Sequence, residues 1–291
     1  MSAGSPSFQW TARDGWMLAA LLALSLFAFR GPWAELLNEI SRREDNSYIF
    51  VAPLVALYLL WLRRSRFRFV RRRASLAGCG ILVLAAGIAW WGEQTDTRVA
   101  MHLGAILSFI ACFVTFMGFA VIRQFMPVVI ALFVLIPVPG EARRSIATLL
   151  QGIAVFVTQD VLSIVGVPAE RQGNVILIRG TPILVGEACD GMRMVMALAL
   201  TYFTFVFSIP LKLSTRLVLL VVSPAIAIAC NLVRLVATGL AYAYSTPDLA
   251  ESVHDVAGWF MLPLAIVLLL GLVRLMRWMD VPVYSWRFLQ A

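Results

Sequence analysis

Residues 63–73 read Arg-Arg-Ser-Arg-Phe-Arg-Phe-Val-Arg-Arg-Arg, and apolar segments lie on both sides of this run. The composition around it is that of a membrane protein, since 61% of the 291 residues are hydrophobic and only 14% are charged. A soluble domain needs about twice that share of charge to cover its surface. Arginine-rich loops stay on the cytoplasmic side of a membrane. The run therefore orients the whole chain.

The apolar stretches on either side predict an all-α integral membrane fold, with about eight transmembrane helices in a single polytopic domain of residues 1–291. Because loop 63–73 is inside, alternation of the spans puts both termini in the cytoplasm. Residues 30–47 mix acidic and basic side chains, and we expect them to form a loop, or the first span to extend toward Leu37 before that loop begins. The predicted spans cover roughly 16–29, 48–62, 75–92, 100–121, 125–137, 190–209, 215–244 and 254–276.

Residues 141–188 are too long for a simple turn and too apolar for a solvated loop, so we expect an extracytoplasmic insertion. Its first part, to about residue 165, is predicted to be a helix lying in the headgroup plane at the outer face. Residues 174–185 hold two β-branched runs around an Arg-Gly-Thr-Pro break, which predicts a short β-hairpin before the sixth span. The hairpin either offers an edge to an extended peptide or fills a gap between helices.

Charge and cysteine content exclude several classes of function. The net charge of +8 comes almost entirely from arginine, which in an apolar chain indicates orientation and contact with lipid headgroups rather than nucleic-acid binding. The cysteines have no paired spacing, so the sequence suggests neither a disulfide framework nor a metal site, and no cofactor is implied. The four cysteines are Cys79, Cys112, Cys189 and Cys230.

The octapeptide Gly-Glu-Ala-Cys-Asp-Gly-Met-Arg at 186–193 is the first candidate for chemistry. It places Cys189 at the start of the sixth span, with Arg193 four residues later. A helix N-terminus and an arginine one turn away both favour a thiolate over a thiol. Cys189 is thus either a reactive nucleophile or a small packing residue. Glu187 and Asp190 are supporting candidates, which would pair with an arginine or orient a substrate.

Two polar residues interrupt the seventh predicted span. Asn231 and Arg234 lie three residues apart and so share one helix face. A charge within a span faces the protein interior or a wet cavity and marks a functional site, unless it reaches the interface by snorkelling. Counted from the cytoplasmic turn near Arg216, Arg234 lies about 27 Å across, near the outer face.

His254 is predicted at the outer end of the eighth span, so three segments bring Cys189, Arg234 and His254 to one level at the extracytoplasmic face. These are the groups needed for thiol acyl transfer: a nucleophile, a cation for the oxyanion and a proton carrier. The other histidine, His102, is also predicted near the outer face and is the alternative proton carrier.

The order of these blocks resembles the signature blocks of the exosortase/archaeosortase family. The blocks are the octapeptide 186–193, the Asn-Leu-Val-Arg sequence at 231–234, and His254 followed by Gly258. The resemblance is strongest over residues 174–260. It implies a membrane cysteine transpeptidase of the bacterial inner membrane. Its partners would be exported proteins whose C-terminal sorting signal combines a short motif such as Pro-Glu-Pro, a membrane helix and a basic tail.

By that resemblance Cys189 is the nucleophile, Arg234 the essential arginine and His254 the acid or base. The chain carries Asp190 where many members have serine, and Asn-Ser-Tyr-Ile-Phe at 46–50 where many have a Ser-His-Gly block. A thioester at Cys189 would be resolved by an amine or by water, and the sequence leaves both open.

The competing interpretation is a non-enzymatic transporter or assembly component for envelope polysaccharide. In that case Asn231 and Arg234 line a substrate path, and Cys189 is incidental. A transport path requires polar residues at mid-depth in discontinuous helices. Here the polar residues are predicted to cluster near one face, which favours the enzyme.

Overall fold

The architecture is built almost entirely from helices, as the composition predicts. The computed structural model describes residues 11–42, 48–70, 75–184 and 191–279, and these form eleven α-helices, short 3₁₀ segments and one small sheet. The chain packs as two compact units, residues 1–139 and 140–291.

The first unit is organised around α5, in which most residues are buried. Helix α5 contacts α1, α2 and α4, and small residues let the backbones approach closely. A Cβ atom added at Gly104 of α5 would meet the carbonyl oxygen of Ala85 at 2.7 Å. Close packing of this kind is how helices associate in membranes, where burial of apolar surface supplies no driving force. The helices are α1 (Ala12–Ala28), α2 (Arg30–Arg42), α3 (Val51–Leu62), α4 (Leu76–Gln94), α5 (Arg98–Met117), α6 (Ala120–Gln124) and α7 (Met126–Phe133).

Helix α2 corrects the expectation of a loop at residues 30–47. Residues 30–42 are helical, and the axis bends by 74° between α1 and α2. Residues 30–42 form a helix because they carry a narrow apolar stripe between charged side chains. Leu36 and Ile40 lie four residues apart on this stripe, and both are buried. Residues 43–47 lie outside the described part of the chain.

In the second unit α10 contacts α8, α9 and α11. One apolar cluster joins α9, α10 and α11, where Tyr202 donates its hydroxyl hydrogen to the carbonyl oxygen of Ala265 at 2.6 Å. A second cluster joins α8, the sheet and α10 through Leu162, Ile178 and Leu235. The elements are α8 (Gly140–Ile164), β1 (Ala169–Gln172), β2 (Val175–Ile178), β3 (Thr181–Leu184), α9 (Gly191–Ser208), α10 (Leu213–Tyr244) and α11 (Pro247–Trp278).

The predicted hairpin is confirmed as β2 and β3, which pair antiparallel with Ile178 opposite Thr181. Arg179 and Gly180 form the two-residue turn with φ of 51° and 83°, the positive values that a type I′ turn requires. Strand β1 extends the sheet to three strands in the order β1-β2-β3. Its sequence, Ala-Glu-Arg-Gln, carries no apolar alternation, which is why the sequence did not predict it.

Length and apolarity indicate a multi-pass membrane protein. Within the described residues α4, α5, α8, α10 and α11 are each long and apolar enough to cross a bilayer, and α1 with α2 together would make a sixth span. Two shorter apolar helices cover residues Tyr48–Leu62 and Val195–Ser208. Eight spans and an interfacial position for α8 therefore remain predictions. Helix α11 begins at Pro247, earlier than expected, and the predicted span 125–137 is α-helical only over Met126–Phe133.

The contact between α4 and α5 provides a stability prediction. A Cβ atom at Gly78 would overlap the backbone of Thr115, whereas one at Gly80 would meet nothing within 4 Å. We expect Gly78→Ala to destabilise the protein by about 1–3 kcal/mol, the usual cost of overpacking. Gly80→Ala should be neutral or stabilising by up to about 1 kcal/mol, since alanine favours the helix. Denaturant unfolding of both variants in the same detergent is the measurement, and equal stability would contradict the close packing.

Candidate active site

The candidate site lies near the short connection between helices α10 and α11. Helix α10 has 32 residues, which gives it a length of about 48 Å, well over the roughly 30 Å of a bilayer's hydrocarbon core. Arg234 and Thr238 lie in its last third, and His254 lies two turns into α11. Because only Ser245 and Thr246 separate the two contacting helices, they run antiparallel, and all three side chains come near the same end.

Arg234 and His254 are in direct contact. Arg234 Nη2 lies 2.6 Å from His254 Nε2, and Arg234 Nε donates to the His254 carbonyl oxygen at 3.3 Å. On the other side of the ring, His254 Nδ1 lies 3.2 Å from the hydroxyl oxygen of Thr238. The imidazole is therefore held between two residues of α10 that are four positions apart.

These contacts favour one tautomer of the imidazole ring. A guanidinium has only donors, so Arg234 must donate to His254 Nε2, and that nitrogen must carry a lone pair. The ring is then neutral with its proton on Nδ1, which donates to the Thr238 oxygen. In this state His254 Nε2 can accept a proton but has none to give.

Packing keeps the guanidinium in place. Arg234 and His254 are half-buried, and Thr238 is buried at 4% exposure. The Arg234 side chain lies over Gly258 of α11, where an added Cβ atom would be 3.4 Å from Nη2. The glycine that follows His254 by one turn thus leaves the room that the guanidinium occupies.

Asn231 lies one turn before Arg234 and is buried at 6% exposure. Its side-chain oxygen accepts no hydrogen bond from the described residues. A buried polar atom without a partner costs free energy, so it marks a place where another polar group is expected. The neighbouring Cys230 is fully buried among apolar side chains, which fits a packing role.

The octapeptide is only partly described. Cys189, Glu187 and Asp190 lie outside the described residues, and Arg193 lies in the first turn of α9, of whose side chain nothing is described. Residues 209–212 join α9 to α10, so these contacting helices run antiparallel. Gly191, the first residue of α9, lies about 26 Å along α9 from that connection. Arg234 lies about 32 Å along α10 from the same connection. The first turn of α9 therefore lies toward the same end of these helices as Arg234 and His254.

His102, the alternative proton carrier, lies in α5 of the first unit and is buried at 1% exposure. Neither of its ring nitrogens has a hydrogen-bond partner among the described residues. Arg98, one turn earlier, bridges Glu35 at 3.3 Å and Glu39 at 2.8 Å. His102 thus lacks the paired contacts that orient His254.

Thr238 is the site residue that sequence reasoning missed. The signal available was its spacing, because 231, 234 and 238 fall on one face of a helix. Threonine in an apolar helix commonly bonds its own backbone, so the residue type alone did not indicate a site. No group of three His, Cys, Asp or Glu side chains that could hold a metal occurs in the part of the chain that the structure describes.

Comparison with known proteins supplies the family. A search of curated proteins found no match, and neither did a search of solved structures. A family model described as transmembrane exosortase matches residues 33–271, a region that includes every candidate site residue. The match covers more than half of the chain and confirms the resemblance inferred from the sequence blocks. The chain therefore belongs to the transmembrane exosortase family.

Proposed function

We propose that this protein is a membrane cysteine transpeptidase, which cleaves the C-terminal sorting signal of exported proteins through a thioester at Cys189. The observation that carries the proposal is the hydrogen-bonded set of Arg234, His254 and Thr238 at one end of α10 and α11. A histidine whose Nε2 is a hydrogen-bond acceptor is the base that a thiol nucleophile needs, once Arg234 Nη2 moves away from that nitrogen. Family membership supports the choice of substrate class.

Proton transfer begins the proposed reaction. His254 Nε2 accepts the proton of the Cys189 thiol, and the thiolate attacks the carbonyl carbon of the scissile peptide bond. For this step Arg234 Nη2 must leave Nε2. The contact from Arg234 Nε to the His254 carbonyl keeps the guanidinium anchored while Nη2 turns toward the new oxyanion.

Collapse of the tetrahedral intermediate breaks the C–N bond. The imidazolium of His254 gives its Nε2 proton to the leaving amine, and the acyl group stays on Cys189 as a thioester. An amine acceptor or water then attacks the thioester, and His254 accepts the proton of that nucleophile. Asn231 is proposed to accept a hydrogen bond from a backbone N–H of the substrate, because its buried side-chain oxygen lacks a partner among the described residues.

The test is reconstitution of the full chain with a reporter that ends in a short motif, a membrane helix and a basic tail. Product mass distinguishes release by water from transfer to an added amine. A matched reporter with a scrambled motif and the same helix and tail is the control. If neither reporter is cut while the protein remains folded, peptidase function is wrong and the transporter interpretation takes its place.

Thr238 is proposed to position His254, and conservative variants separate this role from simple packing. Thr238→Val keeps the shape of the side chain but removes the acceptor for Nδ1–H. We expect the turnover number to fall about tenfold with little change in KM, as the loss of one hydrogen bond allows. Thr238→Ser should retain most of the wild-type turnover. Equal loss in both variants would indicate a packing role instead.

A further inference from the structure

The first unit contains a partly open apolar cavity that the proposed reaction does not use. Its volume is about 420 Å³, within the range of ligand-binding pockets, and every side chain that lines it is apolar. The walls come from α1, α3, α5, α6 and α7. Pro53, Ala56, Leu57 and Leu60 make up one whole face of α3, so the cavity follows the length of that helix.

Two of the helices around this cavity are short. Helix α3 has 12 residues and α7 has 8, which gives lengths of about 18 Å and 12 Å against a hydrocarbon thickness of about 30 Å. A helix shorter than the hydrocarbon core creates a mismatch that the nearby lipid and the flanking residues accommodate. An open apolar cavity beside them is suited to an acyl chain.

One end of the cavity is basic. Phe67 lines the cavity and packs against Phe125, with ring centroids 4.6 Å apart and ring planes tilted by 38°. The preceding residue, Arg66, donates from Nη1 to the Gln124 carbonyl oxygen at 3.2 Å, and so its guanidinium is held at this end. Arg123, which is exposed, follows the lining residue Ile122.

Within the part of the chain that the structure describes, neither Arg66 nor Arg123 forms an ion pair. The sequence contains no Asp or Glu from residue 46 to 92 or from 99 to 140. An apolar cavity with an uncompensated positive end is complementary to an acyl chain that carries a negative headgroup. We propose that this cavity binds an anionic glycerophospholipid of the membrane, with the acyl chain along α3 and the phosphate at Arg66 and Arg123.

The same charges argue against the other apolar occupant, a substrate's signal helix. The signal proposed above ends in a basic tail, and a tail of that sign would be repelled by the arginines at this end. The lipid site does not depend on the proposed peptidase activity. Its tests measure lipid binding only. Failure of the lipid-site proposal would therefore not contradict the peptidase proposal, and the reverse also holds.

The experiment compares phosphatidylglycerol with phosphatidylcholine of identical acyl chains, added to the delipidated full chain in neutral detergent. We expect phosphatidylglycerol to bind about tenfold more tightly, as two arginines near a phosphate allow. The double variant Arg66→Gln/Arg123→Gln should reduce that preference to less than about twofold. The double variant Arg274→Gln/Arg277→Gln changes two exposed arginines of α11 that do not line the cavity. It is the charge-matched control and should leave the preference for phosphatidylglycerol unchanged.

A second arm tests the cavity itself. Ala56→Phe fills the space beside α3 and should weaken binding of both lipids, whereas Leu54→Phe on the exposed face of α3 should not. If Ala56→Phe does not fold, wild-type protein is labelled with phosphatidylglycerol that carries a diazirine on its acyl chain. We expect label only in residues that line the cavity, chiefly those within 53–60, 109–113 and 121–132. Label elsewhere, equal affinity for both lipids, or displacement of the lipid by a signal-helix peptide would overturn the proposal.

Discussion

Cys189→Ala is expected to reduce cleavage of a sorting-signal reporter by at least about a thousandfold, because in the proposed mechanism the thioester forms on the Cys189 thiol. Cys189→Ser should retain at most a trace of activity, since a serine hydroxyl ionises far less readily than a thiol. The measurement is single-turnover cleavage with mass analysis of the enzyme. Wild type should show an acyl adduct on the peptide containing Cys189 when the acceptor amine is withheld.

The matched control for this variant is Cys230→Ala. Cys230 is fully buried on α10 and packs among apolar side chains, so its loss should affect stability more than turnover. Both variants must insert in the membrane in amounts like those of wild type. If Cys189→Ala cleaves the reporter at the wild-type rate, the cysteine mechanism is wrong.

Arg234→Lys is expected to lower turnover by about a hundredfold to a thousandfold, although it preserves the charge. Loss of one oxyanion donor has a cost of that order. A lysine ammonium is a single point donor, so it cannot contact the His254 ring and its backbone carbonyl at once as the guanidinium does. Arg234→Ala should be at least as inactive. The measurement is the turnover number at saturating reporter.

Arg274→Lys controls for a conservative exchange elsewhere in the same pair of helices, since Arg274 is exposed on α11. It should turn over the reporter at the wild-type rate. Activity of Arg234→Lys within threefold of wild type would mean that charge alone matters. The two-point contact with His254 would then be structural.

Much of the fold could be predicted because hydropathy and charge act over whole segments. The seventh span was expected at 215–244, and α10 covers Leu213–Tyr244. The turn at Arg179 and Gly180 was visible because positive φ values restrict the residue type. Helix α2 was missed because its apolar stripe is narrow and its charges dominate the composition. The number of helices that cross the membrane stays a prediction.

The sequence pointed to the candidate site residues Asn231, Arg234 and His254, but not to the contacts between their side chains. Spacing indicated that Asn231 and Arg234 share a face, and depth indicated that Arg234 and His254 lie near one level. Nothing in the sequence specified the register between α10 and α11, which decides whether the two side chains touch. That register also brings Thr238 to the far side of the imidazole. The expected roles of Cys189, Glu187, Asp190 and Arg193 remain predictions.

Pro182, in the middle of β3, determines what the sheet can do at its outer edge. Ile178 and Thr181 close the hairpin as a hydrogen-bonded pair, so the next pair, Leu177 and Pro182, directs its backbone groups away from each other. Proline has no N–H, and the outer edge of β3 therefore lacks a donor at its centre. An extended peptide finds less to pair with there, which favours the gap-filling interpretation of the hairpin. The missing donor likewise weakens edge-to-edge pairing of neighbouring copies through β3, which makes aggregation by strand addition at that edge less favourable.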